Sequence, residues 1–271
     1  MKKAINVLMT FVLMMAALMS CIILFVILGF IFIKGVGQIT PAFVMGFPNE
    51  LTGEGGILPT IVASFYTTAI AMTVVTPIGL GAAIYLAEYA SGGKLVRLVR
   101  FGADSLASVP SIVFGLFGLA LFVHFLHLGW SVLSGGLALA VMVLPIIMRT
   151  AEEGILAVPR SYREASYALG ATKWQTIRRA VIPAAMPRIL TGIILGTGRA
   201  FGETAVVLFT AGVSINLPVL LTDPGRTMTS HLYILATEGI SLPTAYGTAL
   251  LLIAIVLLFN YLARRLATRV R

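Results

Sequence analysis

The chain has 271 residues, 59% of them apolar and 11% charged, with a formal net charge of +9. Soluble domains carry about 25% charged residues, so a soluble globule of this size is excluded for want of polar surface. The bases fall between long uncharged stretches, where membrane topology signals belong, which sets nucleic acid aside as a partner. The one cysteine, Cys21, cannot form an internal disulfide or a multi-thiolate metal site.

Uncharged stretches of about 20 residues or more mark membrane spans. In chain order they predict helices over 4–33, 57–87, 105–127, 131–149, 189–213 and 240–262, an all-α polytopic bundle of six transmembrane helices. The first apolar run continues well past Cys21, too far for a signal-peptide core, and reads as a retained helix. The segment Ser105–Met148 has no charged residue and is too long for one helix, so a break is expected around Gly129–Gly136. Pro77, Pro110 and Pro145 lie within or beside spans and read as kinks satisfied by neighbouring helices. Sixteen lysines and arginines fall on one side of these spans, against Lys34 and Arg226 on the other. The bias puts both termini in the cytoplasm. The outer loops, 34–56 and 214–239, are short and are expected to carry no folded domain.

The longest polar segment, 150–188, lies on the basic side. Ser161-Tyr-Arg-Glu164 has the form of a capping box, predicting a helix that runs to Leu169 and stops at Gly170. Thr172-Lys-Trp-Gln175 repeats the pattern and starts a second helix, expected to end before Pro183. Helices this short are marginal alone in water. Their spacing leaves Tyr167, Leu169 and Trp174 available for a contact, either with the chain's own membrane domain or with a partner.

Arg199 and Glu203 fall near the middle of the fifth span. A charged side chain there faces a bundle interior or a water-filled cavity and has a partner. Spacing of four residues puts the two on one helix face, and Gly192, Gly196, Val206 and Thr210 fall within about 60° of Arg199 on the same wheel. One reading is a structural ion pair with glycines serving close packing. The other is a face lining the path of an anion, whose oxygens a guanidinium bonds bidentately. Glu203 then either limits that attraction as a carboxylate or, protonated, donates a hydrogen bond.

Two sets of motifs carry a family resemblance. Glu164-Ala165-Ser166, Gly170 and Ile182-Pro183 resemble the EAA loop of importer-type ABC permeases, with Ser166 replacing an alanine, Ala180 the usual isoleucine and Ile182 a leucine. Arg199-Ala-Phe-Gly-Glu203-Thr204-Ala205 resembles a motif of phosphate-specific permeases, with Val206 where proline is frequent. Gly55-Gly-Ile-Leu-Pro59, Ala83-Ile-Tyr-Leu-Ala-Glu-Tyr89, Val109-Pro-Ser-Ile-Val-Phe-Gly115 and Leu232-Tyr-Ile-Leu-Ala-Thr-Glu-Gly239 agree with it, so the resemblance covers about 55–262. It implies a type I ABC importer permease fold and transport of phosphate across a bacterial or archaeal plasma membrane by alternating access. It implies a translocation path at Arg199, Glu203, Thr204 and Thr210, and a coupling surface at Glu164, Ala165, Tyr167, Leu169, Gly170 and Trp174. The implied partners are a second permease, a dimer of ATPase subunits and an outer phosphate-binding protein, besides membrane lipid. A permease for sulfate or molybdate is the nearest alternative, and a proton-coupled secondary anion carrier a further one.

No G-x-x-x-x-G-K-[ST] phosphate cradle and no credibly spaced Ser/His/Asp set occurs, so the chain is expected not to be an enzyme. No cofactor is expected in it, ATP and magnesium belonging to a partner. His124, His127 and His231 lack nearby acidic or thiol ligands and read as interfacial histidines rather than metal ligands. Asp223, Arg226 and Glu238 suit either a solvated outer loop or a docking surface.

Overall fold

The computed structural model describes residues 2–49, 55–90 and 92–269; Arg271, one of the tail bases, lies outside them. Among the described residues the regular structure is helical, with one isolated bridge between Pro48 and Gly55. Five helices among these residues are long and apolar enough to cross a membrane, or six if one bent pair counts as a span.

Helix α1, Lys2–Gly35, is apolar all round and almost wholly exposed. Its outer end rests on α12, Leu242–Arg269, where the rings of Phe30 and Tyr246 meet edge to face at 5.6 Å. Next, α2, Pro41–Met45, is capped by the Thr40 hydroxyl and buries Phe43 against Ile57, Phe201 and Met228. Helix α3, Leu58–Ile84, closes in a π-helical turn, Tyr85–Tyr89. The centre of the bundle is α6, Val132–Leu156, which packs along α3. Ala71 and Val75 of α3 meet Leu139, Val143 and Ile147 of α6 there in one core, with Phe114 and Ala200 beside them.

The expected third span differs. A 103° bend separates α4, Lys94–Ser108, from α5, Ser111–Gly118, whose π-helical continuation is Leu119–Phe125. Pro110 lies at the bend, because proline pushes its predecessor out of the helical region. The basic stretch before it is therefore an amphipathic helix, not a loop. Ion pairs from Arg100 to Glu152 and from Arg149 to Asp104 fasten α4 to α6.

The expectation that the second loop helix stops before Pro183 fails too. Helix α8, Lys173–Thr176, passes through a π-helical turn, Ile177–Val181, into α9, Ile182–Phe201. A proline inside an α-helix removes one amide and clashes with the preceding turn. The wider turn absorbs it, and the Ile182 amide reaches back to the Ile177 carbonyl. The fifth span then breaks at Gly202 and resumes as α10, Ala205–Thr210.

The 214–239 loop is more ordered than expected. It carries α11, Met228–Thr237, capped by Thr227 and packed on α12. Asp223 accepts from the Val219 and Leu220 amides, and Arg226 donates to the Val213 carbonyl at 2.8 Å, so both charges hold the loop's own backbone. His231 is not interfacial: it is 2% exposed, with neither ring nitrogen hydrogen-bonded. Burial, with Arg226 nearby, pushes its pKa down to about 4.

Candidate functional site

The break between α9 and α10 brings Arg199 and Glu203 together by a different route from a continuous helix. Gly202 closes α9, where the Glu203 amide turns back to the Ala200 carbonyl at 3.3 Å. The Glu203 carboxylate is 7% exposed and accepts from the Ala205 amide at 3.1 Å, so it caps the start of α10. Arg199 sits in the last turn of α9 with Nη2 3.7 Å from Glu203. Each charge thus complements the nearer helix end, cation beside free carbonyls and anion beside free amides.

The two residues differ in access. Glu203 is buried, whereas the Arg199 side chain is 53% exposed. A half-exposed guanidinium in a spanning segment needs water or polar groups in front of it. The 210 Å³ cavity on the neighbouring face of α9, lined by Phe65, Met72, Phe201, Ile255 and Phe259 among others, is apolar and supplies neither.

Thr204 follows Glu203 at the start of α10 and is partly buried. Thr210 stands apart: it is fully buried, its hydroxyl donates to the Val206 carbonyl at 2.7 Å, and its methyl would touch a Cβ at residue 118. It lies on the packed side of α10, so the continuous-wheel placement beside Arg199 does not hold across the break. Gly192 and Gly196 also face packing. A Cβ at 192 would lie 2.8 Å from Thr150 Cβ, and one at 196 would lie 2.8 Å from Val143 Cγ1, both on α6.

Two contacts with no signature in the amino-acid order brace the break. The Thr229 hydroxyl donates to the Glu203 carbonyl at 2.7 Å, and the Met228 amide donates to the Ser64 hydroxyl at 2.8 Å. The partners are separated by 26 and 164 residues. The only local signal was Thr227, with a side chain able to cap α11.

The second cluster is the polar loop on the basic side. Helix α7, Arg160–Ala168, begins after Pro159 with no side-chain cap, so the expected Ser161–Glu164 box does not form. The Thr172–Gln175 box does: the Thr172 amide donates to Gln175 at 2.8 Å and the Gln175 amide to Thr172 at 3.4 Å. Gly170 separates the helices with φ +80°, a conformation that L side chains avoid. Ser166, where the resembled motif has alanine, is hydrogen-bonded to the Thr176 hydroxyl at 2.9 Å. Glu164, Ala165 and Gly170 are exposed, as are Tyr167, Trp174 and Leu169, the last at 89%. Of these, Ala165 and Leu169 line a shallow hollow of about 520 Å³, with Tyr162 and Arg179 among others. Exposed aromatic and aliphatic side chains around a concavity suit a docking surface.

A multi-pass helical bundle with an ordered polar loop and a charged, broken inner helix defines a membrane permease. The comparisons with known proteins agree. Residues 76–271 match the binding-protein-dependent transport system inner membrane component, and the chain belongs to that family of ABC importer permeases. It is 37% identical to a probable ABC transporter permease protein, YqgI, of Bacillus subtilis, over 94% of each chain. It is 39% identical to the phosphate transport system permease protein PstA 1 of Mycobacterium tuberculosis, over 80% of this chain and 73% of that one. Its fold is similar to that of the MetNI methionine ABC transporter, with TM-score 0.66, 20% identity and coverage of 77% and 93%. It also matches a bacterial alginate ABC transporter in complex with its periplasmic protein, with TM-score 0.65, 15% identity and coverage of 95% and 94%. The fold is thus that of type I ABC importer permeases. Membership implies ATPase and solute-binding partners.

Proposed function

We propose that the chain is a permease subunit of an ATP-driven phosphate importer in a bacterial plasma membrane, with both termini cytoplasmic. The observation that carries the reading is the half-exposed Arg199 guanidinium at a break in a spanning helix. It faces outward from this chain, so the path is completed by a second permease subunit. There a permanent cation offsets part of the cost of taking an anion out of water. Glu203 limits that attraction, since conduction requires binding weak enough to release. Thr204 adds a hydroxyl at the same break, and Thr210 has no place in the path. Relatives named phosphate transport system permeases support phosphate over other oxyanions.

Glu164, Ala165, Tyr167, Leu169, Gly170 and Trp174 form the surface on which an ATPase subunit docks. Approach of the two ATPases moves α7, and the path beside Arg199 opens to the other side. Hydrolysis belongs to those partners, and an outer phosphate-binding protein delivers the solute. The test is reconstitution of the four kinds of subunit in liposomes with labelled phosphate, sulfate and molybdate in separate arms. ATP-dependent accumulation of phosphate alone is the expected result. Accumulation of sulfate or molybdate instead overturns the substrate, and uptake by this chain alone on a pH gradient overturns the class.

A further inference from the structure

The string ending in Glu88-Tyr89 takes no part in the site or the docking surface described above. In the structure it is the π-helical turn that closes α3, and such turns recur at functional positions. Arg163, near the start of α7, reaches it. Its Nε and Nη2 donate to one Glu88 oxygen at 3.0 and 2.5 Å. Nη2 also donates to the Ile155 carbonyl at 3.0 Å, in the last turn of α6, and Nη1 to the Val158 carbonyl at 2.8 Å, two residues past its end. The pair is largely desolvated, at 17% and 7% exposure. Lys173, at the start of α8, places its ammonium 4.6 Å from the Tyr89 ring centroid. One short turn therefore receives a cation from each helix of the docking loop.

Helix α7 buries none of its own residues in this chain. Its far end is tied by Ser166 to Thr176, and its near end by the guanidinium. We propose that Arg163 and Glu88 are positioning residues for coupling, the joint through which a displacement of α7 is handed to α3 and α6 together. A planar fork with several short bonds fixes direction as well as distance, where an apolar contact could slide. Shielding from water keeps the joint from being exchanged for solvent during the movement. The inference rests on the docking role proposed above for the Glu164 surface.

The test uses the reconstituted complex and two readouts, phosphate moved per ATP hydrolysed and the amount of assembled complex. Arg163→Gln is expected to lower the ratio at least tenfold. If it also lowers assembly, because Glu88 is left buried without a cation, the double variant Glu88→Gln, Arg163→Gln removes that charge. The double variant is expected to assemble and to keep the low ratio, which a merely structural pair would not do. Arg163→Lys, which retains charge but not the fork, is expected to fall between. A wild-type ratio in the double variant overturns the joint. Glu164→Ala, measured alongside, separates the readings. Loss of coupling there with wild-type coupling in both Arg163→Gln and the double variant overturns the joint alone, and retained coupling in Glu164→Ala overturns the docking role and the joint with it.

Discussion

Replacing Arg199 by glutamine separates a path residue from a packing residue. The guanidinium is 53% exposed and 3.7 Å from Glu203, beyond hydrogen-bond reach, so solvent screens the pair on the arginine side and its part in folding is about 1 kcal/mol although Glu203 itself is buried. Glu203 keeps its hydrogen bond from the Ala205 amide when the arginine is gone, which holds the cap of α10. The cost to a passing anion is larger. A hydrogen bond to a charged group contributes about 1.5–3 kcal/mol, and each 1.36 kcal/mol is a factor of about ten in rate. Arg199→Gln should therefore lower phosphate uptake roughly 10- to 150-fold while assembled complex stays near wild-type. Arg199→Lys, retaining charge without the bidentate fork, should fall between. The assay is the initial rate of ATP-dependent phosphate uptake in liposomes, normalised to assembled complex. Wild-type uptake, or a loss that tracks loss of the complex, refutes the placement of the path.

Three further outcomes follow from the same geometry. Gly196→Leu drives a side chain into Val143 and Ile147 of α6; overpacking of this kind costs about 1–3 kcal/mol and should lower the melting temperature of the complex. His231 has a pKa near 4 in the folded chain, below its ordinary value of 6.5. Its stabilising contribution is therefore present above pH 6.5 and lost as pH falls toward 4, by roughly 3 kcal/mol at most; His231→Leu should flatten that acid limb in thermal melts at pH 7, 5.5 and 4. Thr172→Ala removes a capping bond, a loss of about 1 kcal/mol, and should lower the melting temperature of the complex and reduce coupled transport, whereas Ser161→Ala, which caps nothing, should leave the melting temperature unchanged.

Local chemistry was legible where the residues that act lie within a few positions of each other. Thr172 and Gln175 satisfy each other's amides, and Gly170 takes the left-handed conformation, because both depend on neighbours in the chain. Ser161–Glu164 has the same pattern but a proline before it. The helix starts two residues early, at Arg160, and the box is forfeited. Span five was read as one helix because hydropathy averaged over about 20 residues is blind to a break only a few residues long. The signal was there in Gly202 followed by Glu203 and Thr204, a helix stop beside side chains that can start the next helix. The exposed tryptophan, tyrosine and leucine of the docking loop were readable as unburied apolar residues in a polar segment.

The amino-acid order alone settled that this is a helical membrane protein, which ends of its helices share a side, and where the unusual charges sit. Each follows from hydropathy over about 20 residues or from the count of bases per loop. Only the tertiary structure decided which way those charges point. It turned Gly192, Gly196 and Thr210 into packing, left Arg199 half in the open, buried His231, and joined Arg163 to Glu88 across 75 residues. The reason is physical: burial and pairing depend on which helices meet, and that is set by the fit of whole faces rather than by any residue's neighbours in the chain.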